Sequence, residues 1–285
     1  MLIENNVNLK QYTTIKIGGI AENYYIPESK EELLELLKVL ETKKEEFKIL
    51  AGGSNLLIND KKLYKHVIYT SDFNREFIVM NNGRFFVGAS VKLQQLILKL
   101  NRLGYGGIEY LFSVPGTVGG AVTMNAGRGK KYNQCLSDYI LEVQVLCDGV
   151  LVNIPKSECF FSYRDSIFKK NQMIVVGVLF CFPKMDPQKS KLLREERIRL
   201  CKEKQDTSRP NFGSLLKKGN RFAFTIMRKL QLGYKGGVHF SPKCNNWLIN
   251  DGNGTFNQVL NIIRVSKIIH LCFFCNQELE VIIWY

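Results

Sequence analysis

Residues 48–60 read Lys-Ile-Leu-Ala-Gly-Gly-Ser-Asn-Leu-Leu-Ile-Asn-Asp (KILAGGSNLLIND), an apolar run broken by two glycines and a small polar pair before apolar residues resume. Paired glycines followed by Ser-Asn at the end of a strand let successive backbone N–H groups turn inward as a concave anion site, to which Ser54 and Asn55 add hydrogen bonds. Such a nest fits a pyrophosphate. The usual nucleotide signatures are absent: there is no G-x-x-x-x-G-K-[ST], and near Gly104 the third glycine of a G-x-G-x-x-G falls on Glu109. One glycine cluster alone reads first as a tight turn. A second, in Gly104–Lys130 (GYGGIEYLFSVPGTVGGAVTMNAGRGK), sets Pro115 and Gly116 before a run of small residues, where backbone can pass close against an extended ligand.

Outward from the first cluster, Lys30–Glu46 places Leu33, Leu34, Leu37 and Leu40 on one helical face. Strands at Ala21–Ile26 and Phe47–Leu50 complete a β-α-β unit. Further strands are expected at Glu76–Met80, Arg84–Val87, Val143–Leu146, Met173–Phe182 and Glu280–Trp284. Helices are expected at Lys92–Arg102, Asp186–Lys204 and Thr255–His270. The mixture of helices with antiparallel-looking strands predicts an α+β fold.

With 285 residues the chain is long enough for two or three compact units. Forty Lys and Arg against 26 Asp and Glu give +14, compatible with nucleic acid, a membrane surface or an anionic small substrate. The basic residues are spread along the chain without an arginine-rich tail or an aromatic-interleaved patch, which argues against nucleic acid. The opening MLIENNVNLKQ has no basic segment leading into an apolar one, so it is not a secretory signal. The apolar window Ile268–Gln277 is about half of a bilayer span. A soluble, cytoplasmic protein is expected. Its eight cysteines lie mostly in apolar runs, as buried thiols in a reducing compartment. Cys272 and Cys275 have C-x-x-C spacing, but a zinc site needs a second such pair, so no metal is expected.

Six blocks, in order, carry a resemblance: Thr13–Gly19 (TTIKIGG), Ala51–Leu57 (AGGSNLL), Ser113–Gly127 (SVPGTVGGAVTMNAG), Tyr163–Ser166 (YRDS), Phe212–Lys217 (FGSLLK) and Glu278–Val281 (ELEV). Across almost the whole chain this set resembles the UDP-N-acetylenolpyruvoylglucosamine reductase family, flavoenzymes of bacterial peptidoglycan precursor synthesis. The resemblance implies two FAD-binding lobes of the vanillyl-alcohol-oxidase type, at 1–66 and 67–190, and a smaller substrate-binding domain at 191–285. It implies FAD as cofactor, NADPH as reductant, a small UDP-sugar substrate, and a monomer without nucleic-acid or membrane partners. By the same resemblance Gly52, Gly53, Ser54, Asn55 and Leu56 hold the FAD pyrophosphate, and Pro115, Gly116, Thr117, Gly119, Gly120 and Asn125 line the rest of the dinucleotide. Tyr163 and Lys217 would meet substrate. The hydride would pass from flavin N5 to substrate C3, with Arg164 stabilising the enolate, Ser214 protonating C2 and Glu280 completing the polar network. Glu278 and Glu280 would share a strand face by alternation.

Three departures from the family pattern fall in the last domain: Lys218 in place of an asparagine, Cys244 in Lys243–Trp247, and Phe274 in place of a glycine. They keep open a flavin-binding homologue with lost or altered turnover. A salt-sensitive nucleic-acid binder is the reading from charge alone.

Overall fold

The glycine pair marks a change of sheet. Lys48–Leu50 (β3) pairs in parallel with Leu63–Tyr69 (β5), whereas Leu56–Ile58 (β4) pairs in parallel with Ile282–Trp284 (β16), at the far end of the chain. The computed structural model describes residues 1–128, 133–169, 173–234 and 236–285, so Gly129 and Lys130, the end of the second glycine-rich stretch, lie outside it. It divides into two compact units. One comprises Met1–Asn5, Asn23–Gly52 and Lys65–Arg199; the other comprises Asn6–Glu22, Gly53–Tyr64 and Leu200–Tyr285. The chain therefore passes from the first to the second between Gly52 and Gly53. These units interleave in sequence, a different partition from the contiguous one at 66 and 190.

Leu2–Asn8 (β1), Ile20–Ile26 (β2), β5 and β3 form a sheet in the order β1-β2-β5-β3. Helix Lys30–Thr42 (α1) starts where the Ser29 side chain accepts from the Glu32 N–H, and it buries Leu33, Leu36, Leu37 and Leu40. Leu36 takes the fully buried place expected for Leu34, which packs at the margin of the core. A second, antiparallel sheet runs β6-β7-β10-β8-β9, from Phe77–Val79 (β6), Arg84–Gly88 (β7), Ile140–Cys147 (β8), Val150–Pro155 (β9) and Ile174–Cys181 (β10). Helices Leu93–Arg102 (α2) and Val118–Thr123 (α3) join its core, where Phe85, Leu96, Val118, Val122, Val143, Val178 and Phe180 are fully buried.

Helix Pro187–Lys204 (α4) carries the chain across the second boundary. The second unit holds a three-stranded antiparallel sheet of Asn211–Ser214 (β11), Val238–Phe240 (β13) and Trp247–Asn250 (β14), ordered β11-β14-β13. Leu216–Lys218 (β12) pairs with Glu278–Leu279 (β15). Helix Arg221–Lys229 (α5) is capped by Asn220. Helix Phe256–Cys272 (α6) begins with a reciprocal box in which Thr255 and Gln258 bond each other's N–H groups. Ile15, Ile17, Leu57, Phe212, Met227, Phe240, Val259 and Ile262 fill this core. Asn250 is fully buried; it donates to the Ile15 carbonyl at 2.9 Å and accepts from the Gly252 and Gly254 N–H groups, each at 2.8 Å. Among the described residues no helix is long and apolar enough to cross a membrane.

Candidate active site

The two glycine clusters meet within the first unit. A Cβ on Gly52 would sit 3.0 Å from the Gly116 Cα, so the two backbones touch where neither residue carries a side chain. Gly116, at φ 128°, accepts from the Leu93 N–H, and Thr117 caps the short helix α3. The glycines after it differ in purpose. A Cβ on Gly119 would lie 3.0 Å from the Ala89 Cβ, so Gly119 serves the packing of α3. A Cβ on Gly120 would find nothing nearer than the Thr117 hydroxyl at 3.8 Å. Gly52, Pro115, Gly116 and Gly120 thus offer accessible backbone without side chains in the way, which fits an extended dinucleotide such as FAD.

At the end of α3 the structure ties down the YRDS segment. Ser162 and Asp165 exchange backbone hydrogen bonds at 3.1 and 3.2 Å, leaving Tyr163 and Arg164 at the tip of a tight turn. Three bonds hold this turn: Asn125 donates to the Ser162 carbonyl at 2.9 Å, the Ser166 hydroxyl donates to the Thr123 carbonyl at 2.7 Å, and the Arg164 guanidinium donates to the Gly127 carbonyl at 2.8 Å. Asn125 is buried and its oxygen accepts from the Ser137 N–H, so its amide is spent on architecture. Arg164 has φ 58°, a left-handed conformation at a turn position where glycine is usual, and its guanidinium lies 5.4 Å from the Tyr163 ring centre. A bulky residue there costs about 1–2 kcal/mol, the kind of strain that collects at working sites. Nearby, burial and Asp138 push the Cys135 thiol up against the opposing pull of Arg164, and burial pushes the Tyr110 phenol up strongly.

The second unit gathers the other blocks. Gly53, at φ 59°, is buried against the Tyr12 carbonyl and accepts from the Thr14 N–H at 3.2 Å. The Thr14 hydroxyl donates to the Ser54 carbonyl at 3.3 Å, and the Thr14 carbonyl accepts from the Asn211 N–H at the start of β11. Ser214 ends that strand, half-buried. The next residue, Leu215, accepts from the Glu280 N–H at 2.9 Å, while Asn55 donates to the Glu280 carbonyl at 3.0 Å and accepts from the Ile282 N–H at 3.0 Å. Gly53–Asn55, Ser214 and Glu280 therefore belong to one hydrogen-bonded cluster, with Leu56 buried at its edge. Glu280 is not in a strand; it lies between β15 and β16, so the alternation expected to put Glu278 and Glu280 on one face does not apply. Glu278 instead pairs with Lys217 at 2.6 Å, and that lysine side chain is only 7% exposed.

Two supporting residues escaped the sequence reading. Asn246 brackets Leu216, accepting from its N–H at 2.9 Å and donating to its carbonyl at 2.8 Å, which fixes the Ser214 strand from the far side. Ser166 lay within the quoted YRDS block but had no role until its bond to Thr123 appeared. Only pairing distant in sequence reveals either one.

Residues 21–154 match the family model of an FAD binding domain. UDP-N-acetylenolpyruvoylglucosamine reductase of Thermotoga sp. (strain RQ2) is 33% identical over 97% of this chain and 92% of its own length. That of Thermotoga maritima is 32% identical, covering 97% of both chains. The crystal structure of UDP-N-acetylenolpyruvylglucosamine reductase from Thermus caldophilus superposes with a TM-score of 0.80 and 28% identity over the full length of both chains. An end-to-end relative above 30% identity, over a fold whose glycines leave room for a dinucleotide, makes the chain a member of the UDP-N-acetylenolpyruvoylglucosamine reductase family.

Proposed function

We propose that this chain reduces UDP-N-acetylglucosamine enolpyruvate to UDP-N-acetylmuramate with FAD as cofactor and NADPH as reductant, as a monomeric cytoplasmic enzyme of peptidoglycan precursor synthesis. The observation that carries this reading is the cluster of the second unit, which fixes Ser214 and Glu280 to the same backbone segment as Ser54 and Asn55. Bound FAD supplies the hydride destined for the C3 carbon of the enolpyruvyl ether.

The chain's own residues do the rest. Gly52, Ser54, Asn55, Pro115, Gly116 and Gly120 present accessible backbone to the dinucleotide. Gly53 and Leu56 in the second unit, and Thr117, Gly119 and Asn125 in the first, are buried and support the accessible backbone of their own unit. Arg164 carries a permanent cation to the carboxylate and enolate oxygens, where charge develops in the transition state. The Ser214 hydroxyl delivers its proton to C2; a hydroxyl is a weak acid, and neighbouring cationic charge makes its proton loss tolerable. Glu280 orients the enol through the polar network, and Tyr163 and Lys217 bind substrate. The three contiguous parts 1–66, 67–190 and 191–285 are the functional division that goes with these roles.

Stopped-flow measurement of the two half-reactions tests the reading. Wild-type protein should be yellow as purified and should consume NADPH continuously only when the enolpyruvyl substrate is present. Ser214→Ala should leave reduction by NADPH within about twofold of wild type while slowing reoxidation by substrate roughly 100-fold or more. Equal damage to both half-reactions makes Ser214 structural, and flavin reduction without substrate-dependent reoxidation makes the chain a flavoprotein of another activity.

A further inference from the structure

Helices α5 and α6 form one layer on the three-stranded sheet of the second unit. Phe224 of α5 packs at 5.6 Å from Phe240 of β13 and at 4.8 Å from His270 of α6. Both helices turn their buried sides, Ala223, Phe224 and Met227 on one and Val259, Ile262, Ser266 and His270 on the other, toward that core. Their opposite sides should be polar, as on an ordinary surface helix. They are mixed: among exposed Arg221, Lys229, Asn257, Arg264 and Lys267 stand large apolar side chains. Phe222 is 71% exposed, Ile268 62%, Leu271 50%, and Phe274, just beyond the end of α6, is fully exposed. Arg264, Ile268 and Leu271 follow one another at helical spacing on the outer face. Large apolar side chains exposed on both helices of one layer mark a surface that meets something.

Charge says what it meets. Helices α5 and α6 contain Arg221, Arg228, Lys229, Arg264 and Lys267 and no Asp or Glu. The acids nearest in sequence are already engaged: Asp251 by Arg209 at 3.0 Å and by His239 at 2.9 Å, and Glu278 by Lys217. Exposed aromatic and aliphatic side chains interleaved with uncompensated basic ones are the composition of an element lying in a lipid headgroup region, with apolar groups among the upper acyl chains and cations on lipid phosphates. We propose that the outer face of α5 and α6 docks on an anionic lipid bilayer, as a reversible surface contact and not a span.

Flotation of the full chain with vesicles tests this. Vesicles of roughly three parts phosphatidylcholine to one part phosphatidylglycerol should carry the protein up, vesicles of phosphatidylcholine alone should not, and added salt should release it. Arg221→Glu with Lys267→Glu should weaken binding roughly tenfold or more. Lys38→Glu with Lys43→Glu, the same charge change at exposed positions on α1 and at its C-terminal cap, should weaken it less than about twofold. Phe222→Ser with Phe274→Ser should lose binding at unchanged charge, and Phe274→Trp should show a blue-shifted indole emission on anionic vesicles. Failure to float with anionic vesicles overturns the proposal. So does equal loss from the two charge pairs, which assigns binding to the whole-chain charge, or full binding by the double serine variant. Sedimentation showing that the patch instead joins two copies of the chain, with no flotation, overturns it as well.

Discussion

Gly53 and Gly120 share a role by resemblance, yet the structure separates them, and the separation can be measured. At Gly53 a β-carbon would enter a left-handed backbone position, φ 59°, and come within 2.0 Å of the Tyr12 carbonyl oxygen and 3.2 Å of the Thr13 Cα. Both obstacles are backbone, so no side-chain rotation relieves them. The left-handed conformation costs about 1–2 kcal/mol for alanine. Displacing the Tyr12–Thr14 segment also weakens the Thr14 to Gly53 hydrogen bond, worth about 0.5–1.5 kcal/mol. Gly53→Ala should therefore lose about 2–4 kcal/mol. Gly120 lies inside α3, its added Cβ meets nothing within 3.8 Å, and alanine in a helix interior is favoured over glycine by about 0.5–1 kcal/mol. Gly120→Ala should hold or raise stability while crowding the open surface proposed for the dinucleotide, for a roughly tenfold weaker FAD Kd. Urea unfolding of flavin-free protein, followed by circular dichroism, should shift the Gly53→Ala midpoint down by roughly 1 M and leave Gly120→Ala at or above wild type. Flavin fluorescence quenching gives the second quantity. A Gly53→Ala protein as stable as wild type, or a Gly120→Ala protein that binds FAD normally, would refute the assignment of one glycine to folding and the other to the ligand.

Three further outcomes are expected. Arg164→Lys keeps the charge but loses the fork that bonds Gly127 and is proposed to meet the substrate carboxylate, and kcat should fall roughly 100-fold in steady-state assays with the melting temperature nearly unchanged; retained activity removes the guanidinium from the chemistry. Asn250→Ala strands the Ile15 carbonyl and the Gly252 and Gly254 N–H groups in a fully buried site, for a loss of about 3–5 kcal/mol; a thermal melt close to wild type would contradict that network. Acid titration probes Asp206 and Asp251. Burial raises both, but hydrogen bonds from Ser208 and Arg209 at the first, and from Arg209 and His239 at the second, leave each below its ordinary value of 3.8. With folded values depressed, their contribution is full above about pH 4 and disappears as pH falls through the folded values. Arg209→Ala should flatten the loss of stability below pH 4; an unchanged acid limb would show that these pairs carry none of it.

How much of this was readable from the sequence depended on how local its cause was. Helix α1 announces itself because Ser29 caps it and leucines recur at helical spacing, and β10 because a long apolar run has only one place to go. The break in the strand at the glycine pair was legible. Its topological meaning was not, because the strand that continues it, Leu56–Ile58, is defined by pairing with Ile282–Trp284 across nearly the whole chain. The short strands of the second unit have the same origin: three or four residues carry too little periodicity to be recognised, and only their partners make them strands. The misreading of Glu280 follows from that cause. A strand drawn straight through Glu280–Trp284 ignores the competing demand of Leu215 and Asn55, which take the Glu280 N–H and carbonyl out of any ladder.

Two of the three residues proposed for chemistry, Glu280 and Arg164, sit outside regular strands and helices, whereas Ser214 ends β11. A residue within a ladder has both backbone groups committed to strand neighbours, and its side chain direction is fixed by the pleat. Glu280, released from β15 and β16, has its backbone held by two other segments, its N–H by Leu215 and its carbonyl by Asn55. Arg164 obeys the same logic in the first unit. The turn that carries this left-handed residue is held by Asn125, by Ser166 and by the residue's own bond to Gly127, and each of the three opposes relaxation to a lower-energy turn. Its strain is therefore held by distributed bonds, each modest alone. Removing any one, as in Ser166→Ala, should loosen Arg164 without unfolding the unit, and should raise KM and lower kcat while the melting temperature moves by only a few degrees.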